Sequence, residues 1–244
     1  MRPVLIIARK ELQSFFDSLI AYVMLIAFLG FTGLFTWLVG NHDVFLAKQA
    51  SLSVFFYWSG WAILVFTPAI TMKMLAEESK SGTIELLLTK PITNWQVLWG
   101  KFLACFTLIF FALLCTIPYW ITIVTLGMGK ADSGVILCGY LGLLLMSAAF
   151  VSIGIFASSI TNNQIIAFII ALVIGIFFRF IFSELASLFS GTTGEIFNYM
   201  GFDTHYDSIA RGVVDSRDVV FFGSIVFIGL VLAEVSLAKR GVSE

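Results

Sequence analysis

Long uncharged stretches alternate with short charged ones along the chain, and their lengths predict the architecture. Ser18 to His42, Gln49 to Met72 and Phe102 to Gly129 contain no Asp, Glu, Lys or Arg, and about 20 such residues suffice to cross a bilayer as a helix. Ser133 to Phe178 is uncharged for long enough to cross twice, and its polar break, Thr161-Asn162-Asn163-Gln164, predicts a helical hairpin. Val219 to Ala238 is a sixth apolar run with one acid, Glu234, near its end. The pattern predicts an all-α polytopic membrane protein, one membrane domain over 1–244, with spans at 19–40, 50–72, 102–127, 135–158, 165–182 and 219–238.

Three segments outside the spans carry helix signals of their own. At the start, Leu5, Ala8, Leu12, Phe15, Phe16 and Leu19 recur at spacings of three and four, with Arg9, Lys10, Gln13 and Asp17 toward the other side. Residues 1–18 are therefore expected to form an amphipathic helix lying in the interface; the plainer alternative is that they are the first turns of span 1. No cleavable signal peptide is read there, so span 1 is expected to stay in the mature protein. The segment 73–101 holds Ser81-Gly82-Thr83, a turn and cap, then apolar Ile84 to Leu88 broken by Glu85, then Pro91, which stops a helix. Thr93-Asn94-Trp95-Gln96 has the spacing of a capping box and predicts a fresh helix start. Between these stops a helix of about two turns is expected. At 183–217, Thr192-Thr193-Gly194-Glu195 reads as another capping box with a stop at Gly201, and a second helix is expected from Thr204 to Gly212. Asp215 and Asp218 are placed to cap span 6.

Within the spans, Pro68 and Pro118 are expected to interrupt spans 2 and 3. Ala148, Ser152, Gly154, Ala157 and Ser158 in span 4, with Ala171 and Gly175 in span 5, have the small-residue spacing of helix-packing faces.

Composition agrees with the pattern: 59% of residues are hydrophobic, 12% are charged and the mean hydropathy is +1.01, against about 25% charged in soluble domains. A net charge of −1 gives no reason to expect a nucleic-acid partner. With the N-terminus inside, Arg2, Arg9, Lys10, Lys73, Lys80, Lys90, Lys101, Lys239 and Arg240 are cytoplasmic, leaving Lys48, Lys130, Arg179, Arg211 and Arg217 outside or near the outer face. This asymmetry favours cytoplasmic N- and C-termini.

Chemistry is sparse. Cys105, Cys115 and Cys138 fall within apolar runs without metal or redox spacing. Neither Gly100-Lys101 nor Gly129-Lys130 is set in a P-loop, so no nucleotide is expected on this chain and no catalytic, cofactor or metal residue is assigned. His42 and His205 read as isolated, and a helix places residues two apart on different faces, which sets His205 away from Asp203 and Asp207. Arg179 and Glu234 are intramembrane candidates because burying a charge is expensive; near span ends, snorkelling or an Arg179 to Glu184 contact is the plainer account of them. Phe197, Tyr206, Asp207 and Arg211 are expected to form an outer partner contact, since the segment mixes aromatics with charges. A secondary transporter or channel would show inverted repeats or an acidic relay, and an intramembrane enzyme would show paired acids or a serine with a base. A non-ABC secondary transporter or channel, or a membrane assembly scaffold, stands as the alternative reading.

The stretch from Ala76 to Pro91, AEESKSGTIELLLTKP, followed by Gly100-Lys101, resembles the permease subunits of ABC-2 type transporters. Their signature is an acidic pair, then S-G-T-x-E-x-L-L-x-x-P, then G-K ahead of span 3. His205 to Asp218, with Thr161 to Gln164, is similar to the gliding-motility-associated permease subfamily, GldF. The resemblance implies a permease in the bacterial inner membrane, working with two copies of a separate cytosolic ATPase that binds the ATP and Mg. It also implies a second permease, either a different chain with a large extracytoplasmic domain or another copy of this one. Glu77, Glu78, Gly82, Thr83, Glu85, Leu86, Leu87, Leu88 and Pro91 would form the ATPase-coupling element. ATP hydrolysis would then drive export or extracytoplasmic mechanical work.

Overall fold

The computed structural model describes residues 2–38, 51–83, 92–126, 132–189 and 191–242. Every regular element among them is helical: α1 (Arg2–Asp17), α2 (Leu19–Trp37), α3 (Ser53–Thr71), α4 (Lys73–Lys80), α5 (Asn94–Leu114), α6 (Ile117–Leu126), α7 (Ser133–Ser159), α8 (Gln164–Ile176), a π-helical turn at Phe177–Ile181, α9 (Phe182–Leu188), α10 (Thr192–Met200), α11 (Phe202–Ala210) and α12 (Ser216–Val242). Among the described residues, six helices are long and apolar enough to cross a membrane, at Leu19–Trp37, Ser53–Lys80, Asn94–Thr125, Ser133–Ser159, Gln164–Leu188 and Ser216–Lys239. Their outward faces carry Ile26, Ile165, Val220 and Phe227 largely exposed, where a soluble bundle would place charge. The chain is an all-α multi-pass membrane protein.

Local chemistry sets the element ends. The Thr93 capping box forms as expected, with Gln96 N–H donating to Thr93 Oγ1 and Thr93 N–H donating to Gln96 Oε1. Asp132 and Asn163 accept from the first N–H groups of spans 4 and 5. Span 3 breaks at Cys115 and Thr116, which leaves Pro118 in the first turn of α6, where its missing N–H costs nothing. Pro68, by contrast, lies inside α3, and the interruption of span 2 falls at Met72. The polar connection is shorter than 73–101: α4 prolongs span 2 through Lys80 and span 3 is already helical at Asn94.

Span 4 is the central post, packed by spans 2, 3, 5 and 6 and by α11. Its small residues allow this, since side chains occupy the space a β-carbon would need: Phe56 at Gly139, Tyr206 at Gly142 and Thr71 at Gly154. Ser152 Oγ meets the Ile225 carbonyl of span 6 at 3.4 Å where Gly229 leaves room. The predicted small-residue faces are packing surfaces in span 4, and in span 5 Gly175 receives Leu64 and Phe150.

Beyond span 5 the helix boundaries differ from expectation. α10 does begin at Thr192, but its N-cap is Gly191, whose φ of +75° makes the turn with no side-chain cap. α11 begins at Phe202 rather than Thr204, because Phe202 is wholly buried against span 4 and draws the helix start forward. The stops at Gly201 and Gly212 stand as expected, Gly212 with φ +92°.

Candidate functional site

The first candidate site lies at the end of the bundle where α1 meets the stems of spans 2 and 3. A serine of span 4 bridges the break in span 2. Leu75 and Ala76 both donate their N–H to Ser158 Oγ at 3.0 Å, and Ser158 donates to the Met72 carbonyl at 2.9 Å. An inserted side chain of this kind bends a helix while keeping its polar groups satisfied. Ser79 donates to Asn162 Oδ1 at 2.6 Å, and Ser236 to the Ser159 carbonyl at 3.0 Å, so the base of spans 2 and 6 is tied to the turn after span 4. Replacing Ser158 by Ala is expected to cost about 1–3 kcal/mol, since it strands two buried N–H groups. Equilibrium unfolding in detergent checks this, and a stability equal to the parent's would mean that water takes over the bridge.

Next to this joint stands a buried cation. Lys101 is 1% exposed, and its Nζ lies 3.0 Å from Glu11 Oε1 and 2.7 Å from Glu78 Oε1. The glycine before it serves the same contact: a β-carbon built on Gly100 would lie 2.6 Å from Ile7 Cγ2, so only glycine lets α1 cross span 3 this closely. Lys73 adds a second anchor, its Nζ 4.2 Å above the Phe15 ring. α1 is thus fastened to the stems on either side of the 81–93 connection, a tighter arrangement than a helix lying only on lipid.

Of the residues expected to form the coupling element, Glu78 faces inward to Lys101 and Glu77 is exposed. Gly82 has φ +69°, and Thr83 Oγ1 donates to the Glu78 carbonyl at 3.3 Å, closing the end of α4. Glu85, Leu86, Leu87, Leu88 and Pro91 lie outside the described residues.

At the opposite end, the intramembrane candidate Arg179 is neither snorkelling nor paired with Glu184. The π turn sets it facing inward, 2% exposed, with its guanidinium against Gly60, 5.0 Å over the Trp61 ring, and its Nε 3.4 Å from Asp203 Oδ1. Burial raises the Asp203 carboxyl above the ordinary range, outweighing the attraction of Arg179. His205 is not isolated: its Nδ1 is 2.7 Å from Asp218 Oδ1, its Nε2 is 2.8 Å from the Tyr199 carbonyl, and its ring stacks on Phe221. Asp218 stands in the first turn of span 6, where its charge complements the helix dipole as expected, while the cap itself is Asp215, which accepts from Arg217 N–H at 2.9 Å. Among the expected outer-contact residues, Asp207 and Arg211 are exposed, Phe197 is half-buried against Phe182 and Phe189, and Tyr206 is 4% exposed beneath span 4. Glu234 is half-buried in span 6.

Sequence reading missed Glu11, the bridge that Ser158 makes to span 2, and the pairing of His205 with Asp218. The available signal was Lys101 itself, a cation directly followed by an uncharged run, which calls for a nearby carboxylate.

Residues 5–200 match the family model described as ABC-2 family transporter protein. No curated protein shows significant similarity to the chain.

Proposed function

Because the chain belongs to the ABC-2 transporter family, as a multi-pass membrane permease whose family implies an ABC ATPase partner, we propose that the 81–93 connection is where that ATPase acts. One observation carries this reading: Lys101 ties the stem of span 2, through Glu78, and α1, through Glu11, to span 3. A push on the connection then moves three helices together. On this reading the ATPase binds the ATP and Mg, in two copies on the cytosolic side, and the chain spans a bacterial inner membrane with both termini facing the cytoplasm. A second permease completes the complex, either a different chain with a large extracytoplasmic domain, as the likeness to gliding-motility-associated GldF suggests, or another copy. The output is export or mechanical work on an outer partner through α10 and α11, with Phe197, Asp207 and Arg211 forming the contact face.

Leu86, Leu87 and Leu88 test the reading. On a short helix they span an arc of about 200°, too wide for a membrane surface to cover alone, so at least one enters a protein groove. Burying a leucine is worth about 1.5–3 kcal/mol, and each 1.4 kcal/mol is about tenfold in affinity. Leu87→Asp is therefore expected to weaken ATPase docking by about ten- to a hundredfold while the six spans insert normally. Co-purification of the ATPase with parent and variant reads this directly. Full ATPase recovery with Leu87→Asp, Leu86→Asp and Glu85→Lys alike would remove the 81–93 connection from the coupling path.

A further inference from the structure

The π turn of span 5 carries Arg179 into a seat that serves a cation poorly. The guanidinium fills the space that a β-carbon on Gly60 of span 2 would need, and it lies 5.0 Å over the Trp61 ring. It has five N–H donors, yet its hydrogen bonding among the described residues is one weak contact, Nη1 to Met146 Sδ at 3.8 Å. Nε approaches Asp203 Oδ1 at 3.4 Å without hydrogen-bond alignment, and both atoms are closed off from solvent and unbonded. Ser59 Oγ, beside Gly60 on span 2, is likewise buried without a partner among the described residues. A charge buried with so few bonds is held at a cost, which packing and one misaligned ion pair offset only in part.

A better seat adjoins it. An open cavity of about 690 Å³ lies between spans 2, 4 and 5 and α11, with Arg179 in its wall and Asp132, Asp203, Asp207 and Arg211 as the rest of its charged lining. Asp203, Asp207 and Arg211 recur every fourth residue along α11 and its C-cap, so they form one stripe, with neighbouring β-carbons about 5–6 Å apart. Three carboxylates therefore meet two arginines, and the guanidinium of one of these is withdrawn into the bundle. The acidic surplus is left on the open side. Burial raises the Asp203 and Asp207 carboxyls above their ordinary range, and Arg179 acts against this at both, so its charge already reaches Asp207 as well as Asp203.

We propose that Arg179 is a two-seat switch. In the buried seat the guanidinium wedges against Gly60 and clamps span 5 to span 2. In the cavity seat it lies between Asp203 and Asp207, which moves the clamp to α11 and releases span 2. The π turn is the part of span 5 that gives way between the two, in keeping with the recurrence of such turns at functional sites. The switch involves neither the 81–93 connection nor the ATPase, so its test stands apart from the coupling reading.

The full chain in detergent is treated with phenylglyoxal, which modifies solvent-exposed guanidinium groups, and each arginine is followed by peptide mass spectrometry with exposed Arg217 as the internal reference. In the parent, Arg179 is expected to react far more slowly than Arg217. Gly60→Ala overpacks the buried seat and is expected to raise the Arg179 rate about tenfold or more by shifting the population to the other seat, with a cooperative thermal transition retained. Asp207→Asn takes a carboxylate from the cavity seat alone. It is expected to slow Arg179 relative to Arg217 by about two- to fivefold, the scale of one partly exposed charge pair. A merely loosened fold would speed the reaction instead. A folded Gly60→Ala protein whose Arg179 reacts no faster than the parent's would overturn the switch, and so would an Arg179 rate that Asp207→Asn leaves unchanged or raises. Should Gly60→Ala fail to fold, Asp207→Asn alone decides the test.

Discussion

Lys101→Met is expected to lower stability by about 3–5 kcal/mol, the scale on which removing one partner of a buried ion pair acts. The lysine is 1% exposed and stands between Glu11 and Glu78. Taking it away leaves two carboxylates of different helices facing each other with no cation between them. Both electrostatic repulsion and desolvation then oppose the packed state. The combined variant Glu11→Gln, Glu78→Gln, Lys101→Met is expected to recover much of the loss, since replacing a whole buried ionic group by neutral ones is often tolerated. Equilibrium unfolding of the single and combined variants makes the comparison. A Lys101→Met protein as stable as the parent would show that Lys101 contributes no net attraction and that α1 is held by the packing at Gly100 and the Lys73–Phe15 contact.

The same comparison separates stability from transmission. With neutral groups at all three positions the helices can pack, but the bond between α1, α4 and span 3 is gone, so ATPase docking should persist while ATP turnover loses its response to the membrane domain. Ser158 bridges Met72, Leu75 and Ala76 at the start of the helix that carries Glu78. The joint therefore combines a bend that is fully hydrogen-bonded with an ionic clamp below it, which allows α4 to swing as a unit without unpaired backbone.

Local signals were legible in the sequence because their causes are local. Uncharged run lengths marked the six spans, the Thr93 to Gln96 spacing marked a capping box that forms, and Gly201 and Gly212 marked helix stops. Where two local signals competed, the stronger geometry prevailed. The Thr192 to Glu195 spacing suggested a side-chain cap, but the positive φ of Gly191 already turns the chain, and burial of Phe202 moved the next helix start. Pairings across the fold were not legible. Glu11 and Lys101 are 90 positions apart, and Leu75 and Ser158 are 83 apart. Nothing in the spacing of Phe177 to Ile181 signals the π turn that aims Arg179 inward, and the same run read as an ordinary helix leaves it near the interface.

Asp218→Ala should be the most damaging single change at the end of the bundle away from Lys101. His205 and Asp218 are 2% and 8% exposed, joined at 2.7 Å between Nδ1 and Oδ1. The Tyr199 carbonyl can only accept, so Nε2 is the donor there and Nδ1 is left to face the Asp218 carboxyl. The pair thus ties the end of α10, the middle of α11 and the first turn of span 6 through one buried contact. Removing the carboxylate leaves a buried imidazole facing a void, at a cost of about 3–5 kcal/mol. Asp218→Asn keeps an acceptor for Nδ1 and should cost less, about 1.5–3 kcal/mol for the lost charge-assisted bond. Limited proteolysis between Phe189 and Asp215 is the sensitive readout, because loosening this joint frees α10 and α11 before the spans unfold. Cleavage should be fastest in Asp218→Ala, intermediate in Asp218→Asn and slowest in the parent. Equal cleavage in all three would mean that ring stacking on Phe221, 3.9 Å from His205, holds the segment without the ion pair.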